Sequence, residues 1–100
     1  MKYIKLGKTD ETVSTISLGT WAFGGPGTVG KNIPVGWADQ SKKDSFSVLK
    51  KSHDSGINHW DTADVYGDGI SEKIIGEAWK DISRSSIFLA TKVGWDMGEY

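Results

Sequence analysis

The segment Asn58-His59-Trp60-Asp61-Thr62-Ala63-Asp64-Val65-Tyr66-Gly67 decides how the rest of the chain is read. It begins as a short buried strand, Ile57 to Trp60, ends at Asp61, and passes into a loop that carries Tyr66. One element later, Ser86-Ile87-Phe88-Leu89-Ala90-Thr91 reads as the next strand and stops at Lys92. Its run of apolar residues without alternation suits a parallel strand covered on both faces. A carboxylate, a phenol and an amine thus fall at or just past the ends of two successive strands of the same direction, where side chains can converge.

Those three groups suit proton transfer to a carbonyl. A free tyrosine, with a pKa near 10, is a poor acid and base at neutrality. A cation close to a phenol favours the phenolate and makes the proton easier to give. Lys92 can be that cation, Asp61 can keep it charged and aimed, and Tyr66 is then poised as a general acid.

Working outward from this stretch, the flanking sequence reads as strands alternating with helices. Ser41 followed by Asp44 makes a capping-box-like start, with Asp in place of Glu, to a helix whose Phe46, Leu49 and His53 share one face. Gly56 is placed to end it. Ser71-Glu72 opens a second helix with an apolar stripe of Ile74, Ile75, Ala78 and Trp79 and with Gly76 as a weak point inside it. Trp60 and Trp79 read as core. Upstream, Tyr3 to Leu6 and Thr12 to Ser14 flank a polar turn, which predicts a β-hairpin over residues 1–15. Ile16-Ser17-Leu18 is the next strand. From Gly24 to Gln40 the chain is Gly-rich and holds both prolines, and it is expected to be a long loop.

The order is hairpin, strand, long loop, helix, strand, helix, strand. Alternation of this kind requires right-handed crossovers and a parallel sheet. A doubly wound sheet and the start of a (β/α)₈ barrel both fit, and both put their chemistry at the carboxyl ends of the strands. Gly25-Pro26-Gly27-Thr28-Val29-Gly30 spells G-x-G-x-x-G but does not describe a dinucleotide turn. That motif requires a strand leading directly into it and a helix starting within it. Here it runs into Ile33-Pro34, and a residue before proline is pushed out of the helical region. The absence of a phosphate turn ahead of the first helix tilts the choice toward the barrel.

Composition sets further bounds. The chain has 100 residues, a formal net charge of −1 and no cysteine. A nucleic-acid footprint, a membrane-surface patch, disulfides, cysteine zinc sites and thiol nucleophiles are therefore not indicated. No apolar run is long enough to span a bilayer, and a soluble, cytoplasmic protein is the expectation. No metal site is expected either. His59 and Asp61 share a strand face while Asp64 already lies in the loop, and the recognised ligand spacings are missing.

Taken together, several pieces resemble the aldo-keto reductase family. They are Leu6-Gly7, Val13-Ser14, Leu18-Gly19-Thr20-Trp21-Ala22-Phe23-Gly24-Gly25, Gly36-Trp37, Gly56-Ile57-Asn58, Asp61 through Gly67, Ser71-Glu72 with Gly76, and Thr91-Lys92. The likeness covers essentially the whole chain and is strongest toward the branch of general-stress-type bacterial reductases and potassium-channel β subunits. It implies an α/β fold, the N-terminal part of a (β/α)₈ TIM barrel, in which residues 1–15 form a floor-closing hairpin and 16–100 the first barrel units. It also implies hydride transfer from NADPH, or NADH, to an aldehyde or ketone. By this resemblance Tyr66 is the proton donor, Lys92 the lysine beside it and Asp61 that lysine's partner. Thr20, Trp21 and Asp61 are the expected cofactor-side residues, although Trp21 could equally plug the barrel mouth. The family's catalytic histidine would lie beyond Tyr100. Because such a barrel takes about 250 residues, the chain reads as a front portion, inactive by itself, that works with its complement, a complementing chain or a homo-oligomer. Three functions are left open: a carbonyl reductase, a nicotinamide-sensing regulatory subunit, and a non-catalytic fragment.

Overall fold

The computed structural model describes residues 1–29 and 32–94. Strands β1 (Tyr3–Lys5) and β2 (Thr12–Ser14) pair antiparallel with Ile4 opposite Val13, which is the expected hairpin. Strands β3 (Leu18–Gly19), β6 (His59–Asp61) and β7 (Phe88–Ala90) form a parallel sheet in the order β3-β6-β7. Helices α1 (Lys42–Asp54) and α2 (Ile70–Ala78) make the two crossovers. In register, Gly19 lies beside Asp61, and Asp61 beside Ala90.

Local chemistry explains where the helices begin and end. The Ser41 side chain accepts a hydrogen bond from the Asp44 amide at 3.0 Å, so one of the unpaired donors of the first turn of α1 is satisfied. Gly56, at φ +87, takes the left-handed conformation just past the helix end that glycine adopts without a steric penalty. Helix α2 starts one residue before the expected Ser71, after Gly69 at φ +95. Its apolar stripe packs inward: Ile74, Ile75 and Ala78 join Phe23, Leu49, Trp60, Ile82 and Ile87 in the core. Leu49 and Trp60 are completely buried, and burying a leucine side chain contributes about 1.5–3 kcal/mol. Trp79 stacks on Trp60 with ring centroids 5.7 Å apart, and the Trp60 indole N–H donates to Ser52 Oγ at 3.2 Å.

The N-terminal hairpin docks at the amino end of β6. The Ser14 amide donates to Asn58 Oδ1 at 2.7 Å, Asn58 Nδ2 donates to the Thr12 carbonyl at 3.1 Å, and the Tyr3 hydroxyl donates to the Gly56 carbonyl at 2.8 Å. The hairpin therefore covers one end of the sheet and leaves the carboxyl end, where Asp61 lies, to the loops.

The expected long loop is corrected by the structure. Strands β4 (Pro26–Val29) and β5 (Ile33–Gly36) form a second antiparallel hairpin, with Pro26 opposite Gly36 and Thr28 opposite Pro34. Two prolines argue against a central strand, but each strand of a two-stranded ribbon has a free edge where a missing N–H breaks no ladder bond. The G-x-G-x-x-G letters thus run along a strand rather than a helix-opening turn, with Gly30 and Lys31 outside the described residues. The expected histidine after Tyr100 also lies outside them. Among the described residues, no helix is long and apolar enough to cross a membrane.

Candidate active site

Three residues expected to act together do meet at the carboxyl end of the parallel sheet. Lys92 Nζ donates to Asp61 Oδ2 at 2.7 Å and to the Thr62 carbonyl at 2.7 Å. It also sits over the Tyr66 ring, 5.2 Å from the centroid. The backbone accounts for this convergence. Past the strand ends the ladder continues, with the Thr62 amide bonded to the Ala90 carbonyl at 2.8 Å and the Asp64 amide bonded to the Lys92 carbonyl at 3.2 Å. The two chain segments therefore stay parallel for one more step, and the lysine can reach back to the carboxylate.

Electrostatically, the hydrogen bond to Asp61 holds the Lys92 ammonium above its ordinary value of 10.5, against a smaller opposing effect of burial and with a further contribution from Tyr66. Both members of the pair are about half exposed, at 50% and 43%. Such a pair fixes direction more than it stabilises the fold.

Trp21 belongs to a 3₁₀ turn, Trp21–Gly24, immediately after β3. Its ring stacks on Tyr66 at 5.9 Å with 20° between planes, and Trp37, just after β5, meets it edge-on at 5.1 Å. Contact between the two loops is close because Gly24 and Gly67 lack side chains. A Cβ on Gly24 would lie 2.5 Å from the Tyr66 carbonyl carbon, and one on Gly67 would lie 2.6 Å from Gly24 Cα.

Thr20 is placed differently from Trp21. It is fully buried, and its hydroxyl donates to the Asp61 carbonyl at 2.9 Å. Ser71 Oγ, also fully buried, donates toward Thr20 Oγ1 at 2.9 Å and lies 2.9 Å from Thr62 Oγ1. Thr62 and Ser71 are not visible as site residues from sequence. A serine beside a glutamate in the first turn of a helix reads as helix-start chemistry, and nothing local says that it is buried.

A nicotinamide group can be tested against these residues. Trp21 is 44% exposed and offers a flat aromatic surface beside a phenol and an ammonium, which fits the reacting end of such a cofactor. Asp61 and Trp21 are the residues that would face it. Thr20 reaches no solvent.

The family model described as the aldo/keto reductase family matches residues 15–99. An NADH-specific methylglyoxal reductase of Escherichia coli strain K12 is 39% identical over 94 residues, covering 94% of this chain and 27% of that protein. A probable voltage-gated potassium channel subunit beta of Arabidopsis thaliana is 36% identical, covering 95% of this chain and 26% of its own length. Among solved structures, an aldo-keto reductase from Bacillus halodurans in its holo form superposes with a TM-score of 0.73 at 32% identity, covering 99% of this chain and 28% of that one. The chain belongs to the aldo/keto reductase family. It forms the N-terminal part of that family's (β/α)₈ barrel, hairpin first, and spans roughly a quarter of the length of the curated relatives it matches.

Proposed function

We propose that the protein, within a completed barrel, reduces an aldehyde or ketone with a nicotinamide cofactor, NADPH or NADH, and that Tyr66 is the proton donor. The observation that carries this reading is the Lys92 ammonium held at 2.7 Å by Asp61 and 5.2 Å from the Tyr66 ring centroid. The bound cofactor would supply a hydride to the carbonyl carbon. At the carbonyl oxygen, the Tyr66 hydroxyl gives up its proton as negative charge builds there, and the product is an alcohol. The phenolate left behind faces Lys92, which offsets its charge until solvent returns the proton. Asp61 keeps the ammonium charged and aimed at the ring. Trp21 would form the flat wall against which the reacting groups are ordered.

Completion of the barrel is part of the proposal. Among the described residues, β3 and β7 each pair on one side only, and unpaired strand edges seek partners. Further strands would come from the same chain, from a complementing chain or from a second copy, and the isolated segment would not turn over.

The test is Tyr66→Phe in the protein at its natural length. Carbonyl reduction, followed by loss of nicotinamide absorbance, should fall by on the order of 100-fold or more, the scale of one general acid. Cofactor binding, read by fluorescence quenching, should survive. Unchanged turnover would sink the assignment.

A second reading, a nicotinamide-sensing regulatory subunit, draws on the likeness to the Arabidopsis thaliana channel subunit. It predicts that Tyr66→Phe leaves regulation of a partner protein intact.

A further inference from the structure

Behind the charged pair lies a closed row of three hydroxyls. Thr20, Thr62 and Ser71 are exposed by 1% or less. Each hydroxyl of the row has one proton to give. The Thr20 hydroxyl donates to the Asp61 carbonyl at 2.9 Å, so Thr20 Oγ1 is free to accept from Ser71 Oγ at 2.9 Å. Ser71 has then used its only proton, and at 2.9 Å it accepts from Thr62 Oγ1. The Ser71 hydroxyl also lies 3.1 Å from the Thr20 carbonyl. The single Ser71 proton thus has two acceptors on Thr20 within reach. Among the described residues no buried side-chain N or O atom lacks a partner.

What the row holds is the backbone from Asp61 to Thr62. The Asp61 carbonyl accepts both the Thr20 hydroxyl and, at 3.1 Å, the Thr20 amide. The Thr62 carbonyl is the second anchor of Lys92 Nζ. Both points that grip the lysine, the Asp61 carboxylate and the Thr62 carbonyl, therefore sit on a dipeptide whose other side is bonded to Ser71 directly or through one threonine. Ser71 is the second residue of α2, so the helix itself is tied to the lysine's seat.

We infer that Ser71 is a positioning residue for Lys92, acting through the hydroxyls of Thr62 and Thr20 on the Asp61–Thr62 backbone. Neither Ser71 nor the threonine hydroxyls touch the reacting atoms. The inference rests on the reductase reading only for its effect on turnover, and the geometry of Lys92 can be read without catalysis.

The experiment compares wild type, Ser71→Ala and Thr62→Val in the protein at its natural length, with lysine Nζ and Cε titrated by NMR. Thr62→Val keeps the carbonyl that Lys92 uses and the branched shape, and removes only the hydroxyl. In both variants the Lys92 titration should move back toward 10.5 as the grip on the ammonium loosens. Turnover, where present, should show a kcat loss of roughly tenfold with KM little changed, the size of one buried hydrogen bond. A folded Ser71→Ala or Thr62→Val whose Lys92 titrates as in wild type overturns the inference. If Ser71→Ala does not fold, Thr62→Val decides alone; its failure to fold also overturns the inference, because the row would then be holding up the helix rather than the lysine. Should Tyr66→Phe leave reduction unchanged while the Lys92 titration still moves in these variants, the reductase reading fails and this one stands.

Discussion

Adding one methyl group at Gly24 should cost both stability and alignment. The Cβ of Gly24→Ala would fall 2.5 Å from the Tyr66 carbonyl carbon and 2.9 Å from Gly67 Cα, all of it backbone that cannot rotate aside. Ordinary contact begins at 3.4 Å, so the loop carrying Tyr66 must retreat by about 1 Å from the turn carrying Trp21. Overpacking of this kind costs about 1–3 kcal/mol. In a barrel-sized protein that lowers the melting temperature by about 2–12 °C. The same retreat separates the Trp21 and Tyr66 rings, now 5.9 Å apart, and moves the phenol relative to Lys92. A misplacement of that size can reduce turnover on the order of 100-fold. Thermal unfolding by circular dichroism measures the first effect and steady-state carbonyl reduction the second. A Gly24→Ala protein that melts and turns over like wild type would refute the close approach and its role in seating Tyr66.

The same substitution at Gly76 should act in the opposite sense. That residue lies inside α2, its Cβ would meet nothing within 4 Å, and Gly76→Ala should stabilise by about 0.5–1 kcal/mol in denaturant unfolding. A loss of stability there would show that the helix face is not open. The Lys92 pair predicts a pH dependence. Because the folded state holds the Lys92 proton more tightly than the unfolded chain does, the pair's contribution is fully present below 10.5 and is lost as pH rises through the folded value. Compared with Lys92→Met, wild type should keep a small advantage, under about 1 kcal/mol for so exposed a pair, from neutrality up to 10.5, and lose it above. A gap that widened in alkali would contradict the assigned direction.

Much of the fold is legible where periodicity and turn chemistry are local. The N-terminal hairpin, the Ser41 cap, the Gly56 stop and the inward stripe of α2 all follow from residues within a few positions of one another. Strand ends are less well marked. The strand expected from Ile16 to Leu18 is Leu18–Gly19, with Ile16 exposed, and the one expected over 86–91 pairs only at Phe88–Ala90 after a 3₁₀ turn at Arg84–Ser86. The second hairpin has no local signature, because a Gly-rich stretch with two prolines reads as a loop, and only the pairing of two edge strands makes room for those prolines in a ladder.

By itself the sequence determined the N-terminal hairpin, the alternation of parallel strands with the two helices and the three residues at the strand ends, because each of these rests on local pattern or on a motif whose letters are adjacent. Tertiary structure decided what those residues touch. That Lys92 seats on Asp61 across 31 positions, that Ser71 reaches Thr20 across 51, and that Gly24 lies against Gly67 are facts of packing between distant segments. Side chains brought together by a parallel crossover have no local signature. A threonine buried behind a site reads, in one dimension, like any other threonine.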